Sequence, residues 1–169
     1  CTLSTERHSS GLALFTQNDY TLSSSVDPVD AGTLTPDLPG PYHYDDVVQL
    51  TATANPGWTF LAWSGSVTGS TNPTTLTIKG HSNVTALFTQ NDYTLSSSVD
   101  PVDEGPLTPD LPGPYHYDDV VQLTATANPG WTFLAWSGSV TGSTNPTTLT
   151  NQGHSNVPAL STQTDYTLS

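Results

Sequence analysis

The chain has 169 residues, with fifteen acidic side chains against two basic ones, Arg7 and Lys79, for a net charge of −13. That balance excludes a nucleic-acid binder, since phosphates require a basic face, and it opposes docking on anionic lipid. With Cys1 as the single cysteine, no intrachain disulfide or thiolate metal site can form, and the apolar runs are too short to insert in a membrane.

Taken in chain order, residues 3–20 (LSTERHSSGLALFTQNDY) align with 76–93 (LTIKGHSNVTALFTQNDY), so the opening reads as the worn tail of an earlier copy. From Tyr20 the pattern has period two, with Tyr20, Leu22 and Val26 on one face of a strand. DPVDAG turns the chain, GTLTP gives a short second strand, and the proline-rich PDLPGPY (36–42) is an irregular loop. The clearest strand is DVVQLTATA (46–54), with Val48, Leu50, Ala52 and Ala54 on one side. After the NPG turn, strict alternation in WTFLAWSG (58–65) puts Trp58, Phe60 and Ala62 on one face and Trp63 on the other. TTLTI (74–78) follows, and NVTALF (83–88) turns Val84, Ala86 and Phe88 inward. No window has the spacing of an amphipathic helix.

The whole series then repeats. Tyr20, Tyr93 and Tyr166 mark a step of 73 residues, and 20–92 differs from 93–165 at seven positions: Ala31/Glu104, Thr33/Pro106, Ile78/Asn151, Lys79/Gln152, Thr85/Pro158, Phe88/Ser161 and Asn91/Thr164. The expected layout is a partial unit over 1–18 supplying closing strands, full units over 19–91 and 92–164, and the start of a further unit over 165–169. The fold class is all-β: tandem small β-sandwich or β-grasp-like domains of about six short strands each, arrayed as beads in a row. A unit of this size has a thin stability margin, and only TQND (89–92) separates one copy from the next, so neighbours are held close. The predicted core is Tyr20, Leu22, Val48, Leu50, Trp58, Phe60 and Phe88, with Tyr93, Leu95, Val121, Leu123, Trp131 and Phe133 in the second copy.

The series YTL…GTLTP…DDVVQLTATANPGWTFLAWSG…NPTTLTI…NVTALF resembles the divergent internalin B-repeat family of bacterial surface proteins. Tyr20, Trp58, Phe60, Trp63, Gly65 and Phe88 fall on its pattern, as do Tyr93, Trp131, Phe133, Trp136 and Gly138. The resemblance implies an extracellular, cell-surface, mostly β module without catalysis, used as a spacer or adhesive stalk. The second copy departs from the pattern at Ser161 and Pro158, so its closing strand is expected to be an edge strand and the unit the weaker one.

Candidate chemistry is thin. PYHYDD (41–46 and 114–119) gathers a histidine and carboxylates, yet the sequence has no strained nucleophile turn for a Ser–His–Asp hydrolase. His43 or His116 with one aspartate falls short of the three or four ligands zinc takes. VDPVD (26–30, 99–103) with Asp37 and Asp110 offers carboxylates to calcium, but Asp-Pro turn chemistry explains the motif more simply. Lys79 becomes Gln152, which rules out a repeated Lys–Asn staple. Asn83 begins an N-V-T glycosylation sequon that Pro158 removes from the second copy. Cys1 stands where Thr74 and Thr147 align; the alternative is a lipid-modified start. Trp63 and Trp136 are candidates for packing one unit on the next or for holding a surface glycan. No cofactor is expected. The expected partners are neighbouring repeats and identical chains in a fibre or array, with the chain either a window of a longer array or completed by strand addition from another copy.

Overall fold

The computed structural model describes residues 12–164. The expectations for residues 1–11, Cys1 included, and for 165–169 lie outside the described residues, and residues 12–19 form no strand.

Unit 1 is built from β1 (Leu22–Asp27), β2 (Gly32–Pro36), β3 (Val47–Ala54), β4 (Trp58–Gly65), β5 (Thr74–Thr77) and β6 (Ser82–Gln90). They form two three-stranded sheets, β1-β6-β4 and β2-β3-β5. Unit 2 repeats this with β7 (Leu95–Asp100), β8 (Leu107–Pro109), β9 (Val120–Ala125), β10 (Trp131–Trp136), β11 (Thr147–Thr150) and β12 (Ser155–Gln163), in sheets β10-β12-β7 and β11-β9-β8. The described residues are all-β, as the period-two reading predicts.

The decisive pairing is that of the first and last strands. β1 runs parallel to β6, from Leu22↔Ser82 to Asp27↔Leu87, and β7 runs parallel to β12 in the equivalent register, from Ser155↔Leu95 to Leu160↔Asp100. Parallel neighbours need a long crossover, and here the remaining strands of the unit supply it. Each unit therefore closes on itself, and the chain enters at one end of the sheet and leaves at the other.

In unit 1 the core holds Ala31, Tyr42, Val48, Leu50, Ala52, Trp63, Leu76, Ile78, Val84, Ala86 and Phe88, with Tyr20, Leu22, Trp58 and Phe60 partly buried against it. In unit 2 the buried set shrinks to Tyr115, Val121, Leu123, Trp136, Leu149, Val157 and Ala159, with Leu95 and Phe133 partly buried against it and Tyr93 and Trp131 half-buried. Three of the four lost positions are sites of substitution: Ala31/Glu104, Ile78/Asn151 and Phe88/Ser161. Strands β8, β9 and β10 are shorter than β2, β3 and β4, so unit 2 has less ladder as well as less core.

Two expectations are corrected. Trp63 and Trp136 are not on the outer face; they are 3% and 2% exposed. A register shift between Phe60 and Ala62 sets Phe60 opposite Phe88 and Trp63 opposite Ala86, leaving Leu61 as the extra residue. A bulge of this kind breaks alternation, so Phe60 and Trp63 both turn inward, their ring centroids 5.0 Å apart, while Leu61 is exposed. Unit 2 has the same shift between Phe133 and Ala135. The second correction concerns Pro158, which lies in β12, the middle strand rather than an edge. Its carbonyl still accepts from Ser137 N at 3.0 Å, so the proline removes one donor and not the strand; β10 stops at Trp136, opposite Ala159, where β4 continues to Gly65.

Candidate functional site

The places with recurring polar geometry are the ends of each unit, where the linker is tied to both neighbours. On the trailing side, Asn91 N donates to Gly57 O at 2.8 Å, and Thr59 Oγ1 donates to Asn91 Oδ1 at 2.7 Å. On the leading side, Tyr93 and Tyr115 exchange backbone bonds of 2.7 and 3.1 Å. Thr94 N donates to His154 Nδ1 at 3.1 Å, the Tyr93 ring stands edge-on to His154 at 5.6 Å, and Asp92 Oδ1 lies 3.3 Å from His116 Nε2. A ring nitrogen that accepts a backbone N–H is bare, so the His154 proton is on Nε2. Four linker residues thus have little freedom left.

The same leading set occurs at unit 1: Tyr20 with Tyr42, Thr21 N to His81 Nδ1 at 3.1 Å, and Asp19 Oδ1 at 3.3 Å from His43 Nε2. The trailing set occurs at unit 2, with Thr164 N donating to Gly130 O at 2.8 Å and Thr132 Oγ1 3.1 Å from Thr164 Oγ1. Threonine replaces Asn91 without loss because the principal bond is main-chain.

The units also touch directly. Gly57, at φ +82°, ends the turn at 55–57, and a Cβ there would collide with Tyr117 Cβ and lie 3.2 Å from its Cγ. Only glycine permits both this backbone conformation and this approach. Tyr117 is half-buried, whereas its counterpart Tyr44 is 56% exposed and carries Lys79, which lies 4.6 Å over the ring centroid and pairs with Asp45.

The remaining polar groups serve the backbone. Asp46 Oδ2 accepts from His43 N at 2.7 Å, and Asp37 Oδ1 from Gln49 N at 2.8 Å. Tyr42 donates its hydroxyl to Leu38 O at 2.7 Å; burial, with Asp37 nearby, pushes its phenol above the usual tyrosine range. Trp63 Nε1 donates to Thr71 O at 2.8 Å inside the core, so neither face of that indole is offered to a sugar. Among the described residues, no group of three or more His, Cys, Asp or Glu side chains converges to hold a metal ion. The sequence puts the linker at 89–92, whereas β6 runs to Gln90 and β7 begins at Leu95, so the joint is residues 91–94. The sequence reading also missed Gly57, Tyr117 and the His43–Asp19 and His116–Asp92 pairs, for which the 73-residue echo was the one signal.

Fold and joint together define a class: a tandem array of self-closing β units coupled through short, pinned linkers. The chain belongs to the divergent InlB B-repeat domain family, whose profile matches residues 20–92 and 95–163. That family consists of repeat domains of bacterial surface proteins and is not a known enzyme family. No curated protein and no solved structure gives a significant match. No helix of the described residues is long and apolar enough to cross a membrane.

Proposed function

We propose that this chain is a non-enzymatic spacer: a section of an extracellular stalk or adhesin shaft whose job is to set distance and direction. The parallel pairing of β1 with β6 carries this reading. Because the two strands point the same way, every unit passes the chain onward from one end to the other. β6 runs on to Gln90, three residues past the partner of Asp27, and β7 begins beyond it. A pinned joint turns that advance into one repeated translation and rotation, the operation that generates a rod or a helix. The charge of −13 keeps neighbouring rods apart and in solution.

Small-angle scattering on concatemers of two, four and six units tests this. A fixed joint makes the maximum dimension grow in proportion to unit number. Growth nearer the square root, as for freely jointed beads, would overturn the reading. The alternative of a glycan-binding module drew on Trp63 and Trp136 as exposed platforms, and both indoles are buried.

A further inference from the structure

The joint between the units has two halves, the turn ending in Gly57 and the base of the Tyr117 ring. Each half has a duplicate at the other end of the molecule, and among the described residues neither duplicate is filled. A Cβ at Gly130 would meet no described atom within 4 Å. Tyr44 is 56% exposed. The duplicates are shaped like the joined pair. Gly130 has φ +88° against +82° at Gly57, and its carbonyl is taken by Thr164 as that of Gly57 is by Asn91. Beside Tyr44 the His43–Asp19 pair repeats, at the same 3.3 Å, the His116–Asp92 pair beside Tyr117. Lys79 lies over the ring centroid of Tyr44, whereas Gly57 meets Tyr117 at Cβ and Cγ, a different part of the side chain.

We propose that these two halves bind each other between chains: the Gly130 turn of one copy seats on Tyr44 of a second copy, continuing head to tail the contact that Gly57 makes on Tyr117. The inference rests on reading that contact as a fixed coupling. The interface is heterologous, so every added copy still offers one turn and one ring, and assembly runs on as a filament instead of stopping at a dimer. It is weak, because the contact inside the chain is helped by a short tether equivalent to a millimolar local concentration. Salt strengthens it by screening the repulsion between acidic chains.

Sedimentation equilibrium of the 169-residue chain tests the proposal, over about 10 μM to 1 mM protein and in salt raised to about 0.5 M. The weight-average mass is expected to climb from 17.9 kDa past the dimer value, and further at higher salt. Gly130→Asn restores a Cβ in a residue that tolerates positive φ, and Tyr44→Ala removes the seat. Each weakens association by about tenfold or more. An equimolar mixture of the two variants pairs the intact turn of one with the intact ring of the other and stops at a dimer. A chain that stays at 17.9 kDa throughout, or variants that associate like the parent, would overturn the proposal. If the concatemers still grow in proportion to unit number while the chain stays monomeric, the spacer reading survives and this inference alone fails.

Discussion

Asn91 donates its amide to the carbonyl of Gly57, and one repeat later Thr164 does the same to Gly130, each at 2.8 Å. The bond survives a change of side chain because the side chain does not make it. What the joint does need from a side chain is its absence, at Gly57. Gly57→Asn keeps the turn, since asparagine accepts positive φ, but brings a Cβ against Tyr117. The two units are expected to swing apart while each stays folded, with stabilities unchanged to within about 0.5 kcal/mol. Residual dipolar couplings read this directly: one alignment tensor fits both units of the parent chain, and two are needed for the variant.

Glu104 stands at the position of Ala31, fully buried, with neither carboxylate oxygen hydrogen-bonded. Unit 2 has no lysine or arginine to pair with it. Burying an unpartnered polar group costs about 1–3 kcal/mol and a charge more. Glu104→Ala is therefore expected to stabilise unit 2 by at least about 1 kcal/mol, read as a rise in its urea midpoint with the slope unchanged.

Phe88 reaches under Gly32, where a Cβ would come within 2.6 Å of its ring, and stands edge-on to Phe60 at 5.8 Å. Ser161 fills neither role. Removal of a core phenylalanine costs about 3–5 kcal/mol, so two unfolding transitions are expected, with unit 2 melting first. Ser161→Phe alone leaves buried Glu104 where unit 1 has Ala31. Combined with Glu104→Ala it restores the unit 1 arrangement, and the double variant is expected to gain more than the two single gains added together. Calorimetry of the four chains checks both statements.

Trp63 fills the core of unit 1 and anchors the loop after β4 through its Nε1 bond to Thr71 O. Trp63→Ala is expected to destabilise unit 1 by about 3–5 kcal/mol, with the transition of unit 2 unmoved. An intact unit 1 in that variant would show that the indole is not a core residue.

Tyr42 is held above the ordinary tyrosine range by burial first and by Asp37 second. A raised folded-state pKa means that the native phenol keeps its proton while the unfolded one has lost it. Its contribution is complete below the unfolded value of about 10 and falls away as pH rises through that value toward the higher folded one. Unit 1 is expected to lose stability in this alkaline window, and Tyr42→Phe to lose less. Urea melts at pH 9 and pH 11 compare the two.

Much of this protein was readable from its letters. Alternation in Val48, Leu50 and Ala52 set one face of β3 inward, and Val84, Ala86 and Phe88 did the same for β6, because a strand's two faces follow directly from period two. Alternation failed at Trp63 because the bulge at Leu61 is a property of the paired ladder: it exists only once Phe60 faces Phe88 and Trp63 faces Ala86. The edge assignment of Pro158 failed for a related reason, since a missing donor marks one bond and says nothing of what lies on the strand's other side.

By itself, the sequence determined the repeat, the strands, the acidic surface and the weaker second core, all consequences of composition and short-range pattern. The parallel pairing of first strand with last, the seat of Gly57 on Tyr117 and the burial of Glu104 were decided only in three dimensions. The first two join residues sixty apart, and side chains distant in sequence do not specify a meeting, or a burial, until the backbone between them has been placed.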